Sequence, residues 1–351
     1  MSKRGFRERL AAGETIVIAE GYLFEFERRG YVRAGCFVPE VVLEFPEQLR
    51  ALHEEFVHAG SDVVEAYTYY GHRAKLRVVG REDELETLNF KALDIAKEVA
   101  DKHGKLLAGG ISNTTIFNRH DPKTIEEARS IFKEQIEWAV TRDVDFIIGE
   151  TFPDFAEALL ALECIKEYGK VPAVITFCST ETNMTHDGVP IPEACRKLEE
   201  AGADVVGVNC SRGPVTMMPL VKEIKKVCKG PVAMLPVVYS TTDKEPTMQA
   251  LTIPGKGKPA FPVDLPGVAC TRTEIKEFAE EAKALGIQYI GLCCGNASHY
   301  MRILADVYGK DPPANKFSPN MDQHYSFGDD KHRNDYYNDL FETKLKDNKA
   351  K

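Results

Sequence analysis

The sequence predicts a (β/α)8 TIM barrel with a C-terminal extension, and three observations carry that prediction. Short apolar, β-branched runs recur eight times along the 351 residues, broken by polar or glycine-rich turns and interleaved with helical patterns. The runs are nearly continuous in hydrophobicity rather than alternating, as parallel strands buried on both faces are. The first run leads into "IAEGYLF", not into the glycine-rich phosphate loop that opens a doubly wound sheet, the competing α/β arrangement.

The predicted strands are 15–20, 62–69, 106–112, 145–151, 173–178, 204–210, 232–238 and 289–294. Between them, "TIEEARSIFKEQIEWAV" (124–140) offers a capping box of Thr124 with Glu127 and a stripe of Ile125, Ala128, Phe132, Ile136 and Ala139. "TEIKEFAEEAKALG" (273–286) aligns Ile275, Phe278, Ala282 and Leu285 and stops at Gly286. Two segments fall outside the repeat. Residues 239–270, rich in Pro, Gly and Thr, form a loop long enough to expect a function of it. Residues 311–351 follow a barrel of 1–310 and end in the charged "KLKDNKAK", a disordered composition. From Asn315 to about Leu340 this arm carries too many aromatics for a solvated tail, Phe317, Tyr325, Phe327, Tyr336 and Tyr337 among them. It is expected to dock on its own barrel or on a partner's, in a homo-oligomer, first of all a dimer.

Composition narrows the function. A net charge of −9 argues against a nucleic-acid or anionic-membrane surface, both of which want clustered Lys and Arg. No segment has the length of a membrane-spanning helix, and the charged N-terminus lacks a signal-type apolar stretch. The nine cysteines are odd in number, scattered and without Cys-x-x-Cys spacing, which reads as reduced thiols of a cytoplasmic protein.

In a barrel the chemistry gathers where the strands end. Glu20, Tyr67 to Tyr70, Ser112, Glu150, Cys210, Cys293 and Cys294 stand there. The adjacent Cys293 and Cys294 could be two small buried hydrophobes, a vicinal disulfide, or two ligands on one metal. With Cys210 closing another strand, the metal reading leads: three thiolates suit a Zn²⁺ that keeps its fourth position open for a substrate thiol. They leave the site anionic, which favours sulfur nucleophilicity over water activation. The "AYTYYGH" stretch is either packing for the rim or a cage for a quaternary or sulfonium cation, with Tyr22 and Phe37 as further walls. Read as a strand, it puts Tyr69 on the face of Tyr67 and Tyr70 just past the end, so Tyr70 and Phe37 form the expected cage and Tyr69 comes next. Glu20 and Glu150 either cap loops or hold a substrate ammonium. His324 is expected to be solvated. A zinc hydrolase would want His or Asp ligands at strand ends, and no histidine ends a predicted strand. A non-catalytic zinc or thiol-binding barrel would want a fourth ligand, for which Cys178 is the nearest candidate.

"GADVVGVNC" (202–210), followed after a long loop by "GLCCG" (291–295), resembles the zinc-dependent homocysteine S-methyltransferases, and the resemblance runs from about residue 5 to 341. The opening "ERLAAGETIVIAEGYLFEFERRGYVRAG", the "YTYYGHRAKL" segment and the tail are most similar to the betaine-type branch. The resemblance implies Zn²⁺ on Cys210, Cys293 and Cys294. It implies Glu20 and Glu150 as the carboxylates on the homocysteine amino group, and backbone near Gly21 and Tyr22 on its carboxylate. Phe37, Tyr69 and Tyr70 would fall in the donor pocket, with Thr151 where that branch has a tyrosine and Phe37 where it has a tryptophan. Leu292 replaces the second glycine of the usual Gly-Gly-Cys-Cys-Gly, and Glu20-Gly21-Tyr22 replaces Asp-Gly-Gly. Related methionine synthases add folate and cobalamin domains, for which 351 residues leave no room. The implied partners are therefore homocysteine and a small onium donor used directly. Betaine or a thetin such as dimethylsulfoniopropionate comes first, with S-methylmethionine as the alternative.

Overall fold

The computed structural model describes residues 4–317, apart from Ala34, Cys36 and Phe37, together with Asp339. The chain divides into two units, Met1–Pro312 and Pro313–Lys351. Within the second, Pro313–Phe317 forms one short 3-10 turn. Phe37, His324 and nearly all of the expected aromatic arm lie outside the described residues.

The first unit is a barrel. Its strands are β1 (Ile16–Ala19), β2 (Val63–Glu65), β3 (Leu106–Ser112), β4 (Phe146–Phe152), β5 (Ala173–Cys178), β6 (Val205–Asn209), β7 (Val232–Leu235) and β8 (Tyr289–Leu292). Neighbours pair in parallel from β2 round to β8, and β8 returns to β1 with Tyr289 opposite Ile16. The seam between β1 and β2 is closed by Asp62. Its N–H donates to the Val17 carbonyl at 2.7 Å, and its side-chain Oδ2 accepts the Val17 N–H at 3.0 Å. A carboxylate thus takes the place of a ladder carbonyl where the strands begin.

Side chains alternate across a strand. One separate buried cluster takes every second residue from all eight strands, including Ile16, Ile18, Val63, Phe146, Ile148, Val205 and Tyr289, and is the barrel interior. The helix Phe6–Ala11 covers its N-terminal end, where Phe6 stacks on Phe146 with ring centroids 4.0 Å apart. The other residues of each strand join the larger outer cluster beneath the surrounding helices. No helix among the described residues is long and apolar enough to cross a membrane.

Two sequence expectations are corrected. The second strand ends at Glu65, not at 69. Thr68 turns the chain back, its N–H on the Ala66 carbonyl at 2.7 Å and its Oγ1 on the Gly110 carbonyl at 2.6 Å, and Tyr70 follows with φ +56°. Tyr67, Tyr69 and Tyr70 therefore stand on a loop, and strand alternation does not sort them. The helix that precedes β4, Pro122–Val140, begins earlier than its supposed capping box. Its N-cap is Asp121, whose side chain accepts from the Lys123 N–H at 3.0 Å, with Pro122 preset for the first turn. The helix Arg272–Ala284 opens on a capping box of Thr271 with Glu274.

Candidate active site and metal centre

Continuing the inward parity of several strands leaves the apolar interior and reaches polar groups. Ile16 and Ile18 lead to Glu20, Val63 to Glu65, Phe146 and Ile148 to Glu150, Val174 to Thr176, and Tyr289 through Gly291 to Cys293. Glu65, Glu150 and Cys293 of this layer line a pocket of ≈ 250 Å³ at the C-terminal end of the strands, together with Gly21, Tyr69, Tyr70, Thr151, Cys210 and Cys294 among others. Gly21 is a requirement of that geometry. It has φ +84°, and a Cβ there would stand 2.3 Å from the Cys293 carbonyl oxygen.

Thr151 (φ +62°), Cys210 (φ +59°) and Ser211 (φ +62°) join Tyr70 among the non-glycine residues at the mouth that hold left-handed backbone. A β-branched threonine there is strained and needs its surroundings to hold it. The register of β4 against β5 shifts between Gly149 and Phe152, so Glu150 sits on a bulge that aims it inward. Asn209, fully buried on β6, holds the arrangement. Its Oδ1 accepts from the Thr151 N–H and the Thr176 hydroxyl, each at 3.0 Å. Its Nδ2 reaches Thr151 Oγ1 at 2.8 Å, Glu150 Oε2 at 3.2 Å and Glu20 Oε2 at 3.4 Å.

Cys210, Cys293 and Cys294 bring their sulfurs within 4.8 Å of one another. Cys294 Sγ lies 3.5 Å from Cys210 Sγ and 3.9 Å from Cys293 Sγ. A disulfide needs about 2.05 Å, so these thiols are not cross-linked. Tetrahedral Zn–S bonds of about 2.3 Å put sulfurs about 3.8 Å apart, close to the two spacings at Cys294. Hydrogen bonds from Cys178, Cys293 and Cys294 hold the Cys210 thiol well below its ordinary range. The same bonds, with burial, push the other three up. Cys178, the last residue of β5, is thus a fourth sulfur at Cys210, although it is not in the tight cluster of three.

Beside the sulfurs, oxygens of Glu20 and Glu150 lie within 4.8 Å of Cys293 Sγ and of each other. Burial, then the charge on Cys210, pushes the Glu150 carboxyl up to about 8. Burial, then the charge on Glu150, pushes Glu20 well above the carboxylate range. A cation brought among them reverses both effects. Glu65 and Asn209 belong to this group and were not singled out from the sequence. The signal was present in the inward parity of "DVVEA" and "VVGVN", but it needs strand boundaries known to one residue.

The aromatic residues divide. Tyr67 is buried and packs on Tyr22 and Phe26, 5.8 and 5.5 Å between centroids. The Tyr22 ring packs further on Phe56 and His53. Tyr69 and Tyr70 face each other at 4.2 Å, and the Lys75 ammonium lies 4.1 Å from the Tyr70 centroid, so a cation already covers part of that ring. The long 239–270 segment contributes Met248, Gln249 and Phe261 to the pocket, which gives that loop a place at the site.

A family model described as homocysteine S-methyltransferase matches residues 22–308. The chain is 36% identical over 338 residues to betaine–homocysteine S-methyltransferase 1 of Mus musculus, covering 93% of this chain and 80% of that one. It is 35% identical over 336 residues to the S-methylmethionine–homocysteine S-methyltransferase of the same organism, covering 93% and 87%. The crystal structure of the metallated homocysteine methyltransferase MmuM of Escherichia coli superposes with a TM-score of 0.66 at 16% identity, over 84% of this chain and 96% of that chain, which shows the shared barrel. Relatedness of this extent means that the chain belongs to the homocysteine S-methyltransferase family and is a methyltransferase acting on homocysteine.

Proposed function

We propose that the protein transfers a methyl group from a small onium donor, glycine betaine or a thetin such as dimethylsulfoniopropionate, to homocysteine in a zinc-dependent reaction that yields methionine. One observation carries the reading: three convergent sulfurs stand directly beside buried carboxyls in a single pocket. A Zn²⁺ on Cys210, Cys293 and Cys294 would lower the pKa of an incoming thiol from its free value of about 8.5. Glu20 and Glu150 hold the acceptor's ammonium, and Asn209 fixes both carboxyls. Backbone at Gly21 and Tyr22 takes its carboxylate. The donor sits above with its alkyl groups against Tyr69 and Tyr70, where ring faces attract a cation without offering a hydrogen bond. Phe37, outside the described residues, remains a proposed wall of the donor site. Thr151 supplies a hydroxyl rather than a ring, which leaves room for a bulkier sulfonium.

The betaine-type and S-methylmethionine-type relatives are equally similar, at 36% and 35%, so donor choice is an experimental matter. The test combines zinc content with methionine formation from homocysteine and each of betaine, dimethylsulfoniopropionate and S-methylmethionine. About one Zn²⁺ per chain and turnover with betaine or the thetin is the expected result. Turnover with S-methylmethionine far above both would overturn the donor assignment, and full activity in a zinc-free protein would overturn the metal.

A further inference from the structure

Glu65 is a third carboxyl at the mouth. It ends β2, is 4% exposed and lines the pocket. It leans over β3 at Gly110, where the strand has no side chain: a Cβ on Gly110 would stand 3.0 Å from Glu65 Oε1. Beyond Gly110 lies β4, and the Glu65 and Glu150 side chains share a hydrogen bond. The remaining oxygen, Glu65 Oε2, is buried and has no hydrogen-bond partner, and the same holds for Glu20 Oε1. Buried acceptors are rarely left without a donor. No Lys, Arg or His is among the described residues lining this pocket, so a cationic partner for these carboxyls has to come with a ligand.

We propose that Glu65 is a specificity-determining residue that completes, with Glu20 and Glu150, a three-carboxyl receptor for a primary ammonium and thereby selects an α-amino thiol as methyl acceptor. The inference rests on the functional reading above and adds a residue to it. A primary ammonium presents three N–H donors, one for each carboxyl. A quaternary or sulfonium centre has none, so it leaves the orphaned oxygens unsatisfied. The same pocket thus sorts its two cationic substrates, the ammonium to the carboxyls and the onium to the rings. Gly110 serves the arrangement by leaving space for the Glu65 carboxyl.

The test uses the zinc-loaded enzyme, Glu65→Gln and Gly110→Ala, each titrated calorimetrically with L-homocysteine and with 4-mercaptobutanoate, which lacks only the amine. Glu65→Gln keeps the size of the side chain and a hydrogen bond to Glu150. It should cut the preference for homocysteine over the amine-free thiol by about 10-fold or more, the loss of one charge-assisted contact. Zinc content and the donor's KM should stay unchanged while the KM for homocysteine rises. Gly110→Ala, which crowds the carboxyl without removing it, should shift the preference in the same direction. An unchanged preference in Glu65→Gln, or equal weakening of both thiols, would overturn the role of Glu65 alone. So would a second metal ion per chain that Glu65→Gln abolishes. A wild-type enzyme that binds zinc but not homocysteine would overturn the functional reading itself.

Discussion

The two ends of the barrel treat a buried carboxylate in opposite ways. At the N-terminal end, Asp62 accepts the Val17 N–H and is paired with Arg9 and Lys310, each at 2.9 Å. Burial works to raise its pKa, but the two cations prevail and hold it below the usual range. At the C-terminal end, Glu150 is exposed to a similar degree and is pushed up to about 8, by its burial and then by the charge on Cys210, where Asp62 has cations. At the mouth, Tyr70, Thr151, Cys210 and Ser211 also hold left-handed conformations. The closed end carries its own counter-charges and serves stability. At the open end the described residues lining the pocket include no Lys, Arg or His to pair the carboxyls, and that want favours a cationic substrate.

The largest effect expected is at the mouth. Cys293→Ala should remove most of the zinc and the methyl-transfer activity while changing the melting temperature of the metal-free protein far less, since Cys293 lines the pocket. Metal analysis beside thermal unfolding would check it, and full zinc with a full rate would sink the ligand assignment. The matching change at the closed end is Asp62→Asn. Removing one partner of a buried ion pair costs about 3 kcal/mol or more. Urea unfolding should show that loss, with the KM for homocysteine unaltered. A variant that kept its stability but lost homocysteine affinity would break the division of labour between the ends.

What the sequence revealed follows the same division. β3 and β5 appear at their predicted bounds, 106–112 and 173–178, because an uninterrupted apolar run has one stable use in a barrel. The thiols stood out because adjacent cysteines at one strand end are rare packing material. Glu65 was hidden inside "DVVEAYTY", where aromatic residues of high strand propensity extended the apparent strand past its true end. The turn that stops it is made by the Thr68 hydroxyl on the Gly110 carbonyl, a contact between residues 42 apart that no local pattern contains. Asn209 escaped for a related reason: its importance lies in reaching Glu20, Glu150 and Thr151 at once, beyond its own strand.

His53 offers a sharper test of whether lack of a partner always signals function. It lies in the helix Pro46–Ala59, is fully buried, packs edge-on to Tyr22 at 5.2 Å, and neither ring nitrogen has a hydrogen-bond partner. Burial lowers its pKa to about 3. Between the free value of about 6.5 and 3, the unfolded chain binds a proton that the folded chain refuses, so stability rises with pH across that window. The contribution is complete above pH 6.5 and is lost on acidification, about 2 kcal/mol of it by pH 5. His53→Leu should remove this slope from a pH series of urea unfolding curves and leave the homocysteine affinity alone. If affinity fell instead, the orphaned nitrogens of His53 would belong with the orphaned oxygens of the mouth.

The smallest effect expected concerns the donor side of the mouth, where the chain does place a cation of its own. Lys75 Nζ lies 4.1 Å from the Tyr70 centroid, and cation–π contacts at partly exposed sites are worth about 0.5–1 kcal/mol. On the proposed function, an onium donor resting against Tyr70 competes with that ammonium for the ring's negative potential. Lys75→Met keeps the aliphatic stem and removes the charge. It should lower the donor KM by about two- to five-fold, with the KM for homocysteine unchanged. Tyr70→Phe keeps the ring and should alter the donor KM little, whereas Tyr70→Ala should raise it. A Lys75→Met enzyme with a raised donor KM would reverse the argument. Lys75 would then be attracting the donor's carboxylate, and the chain would have supplied a counter-charge at the open end after all.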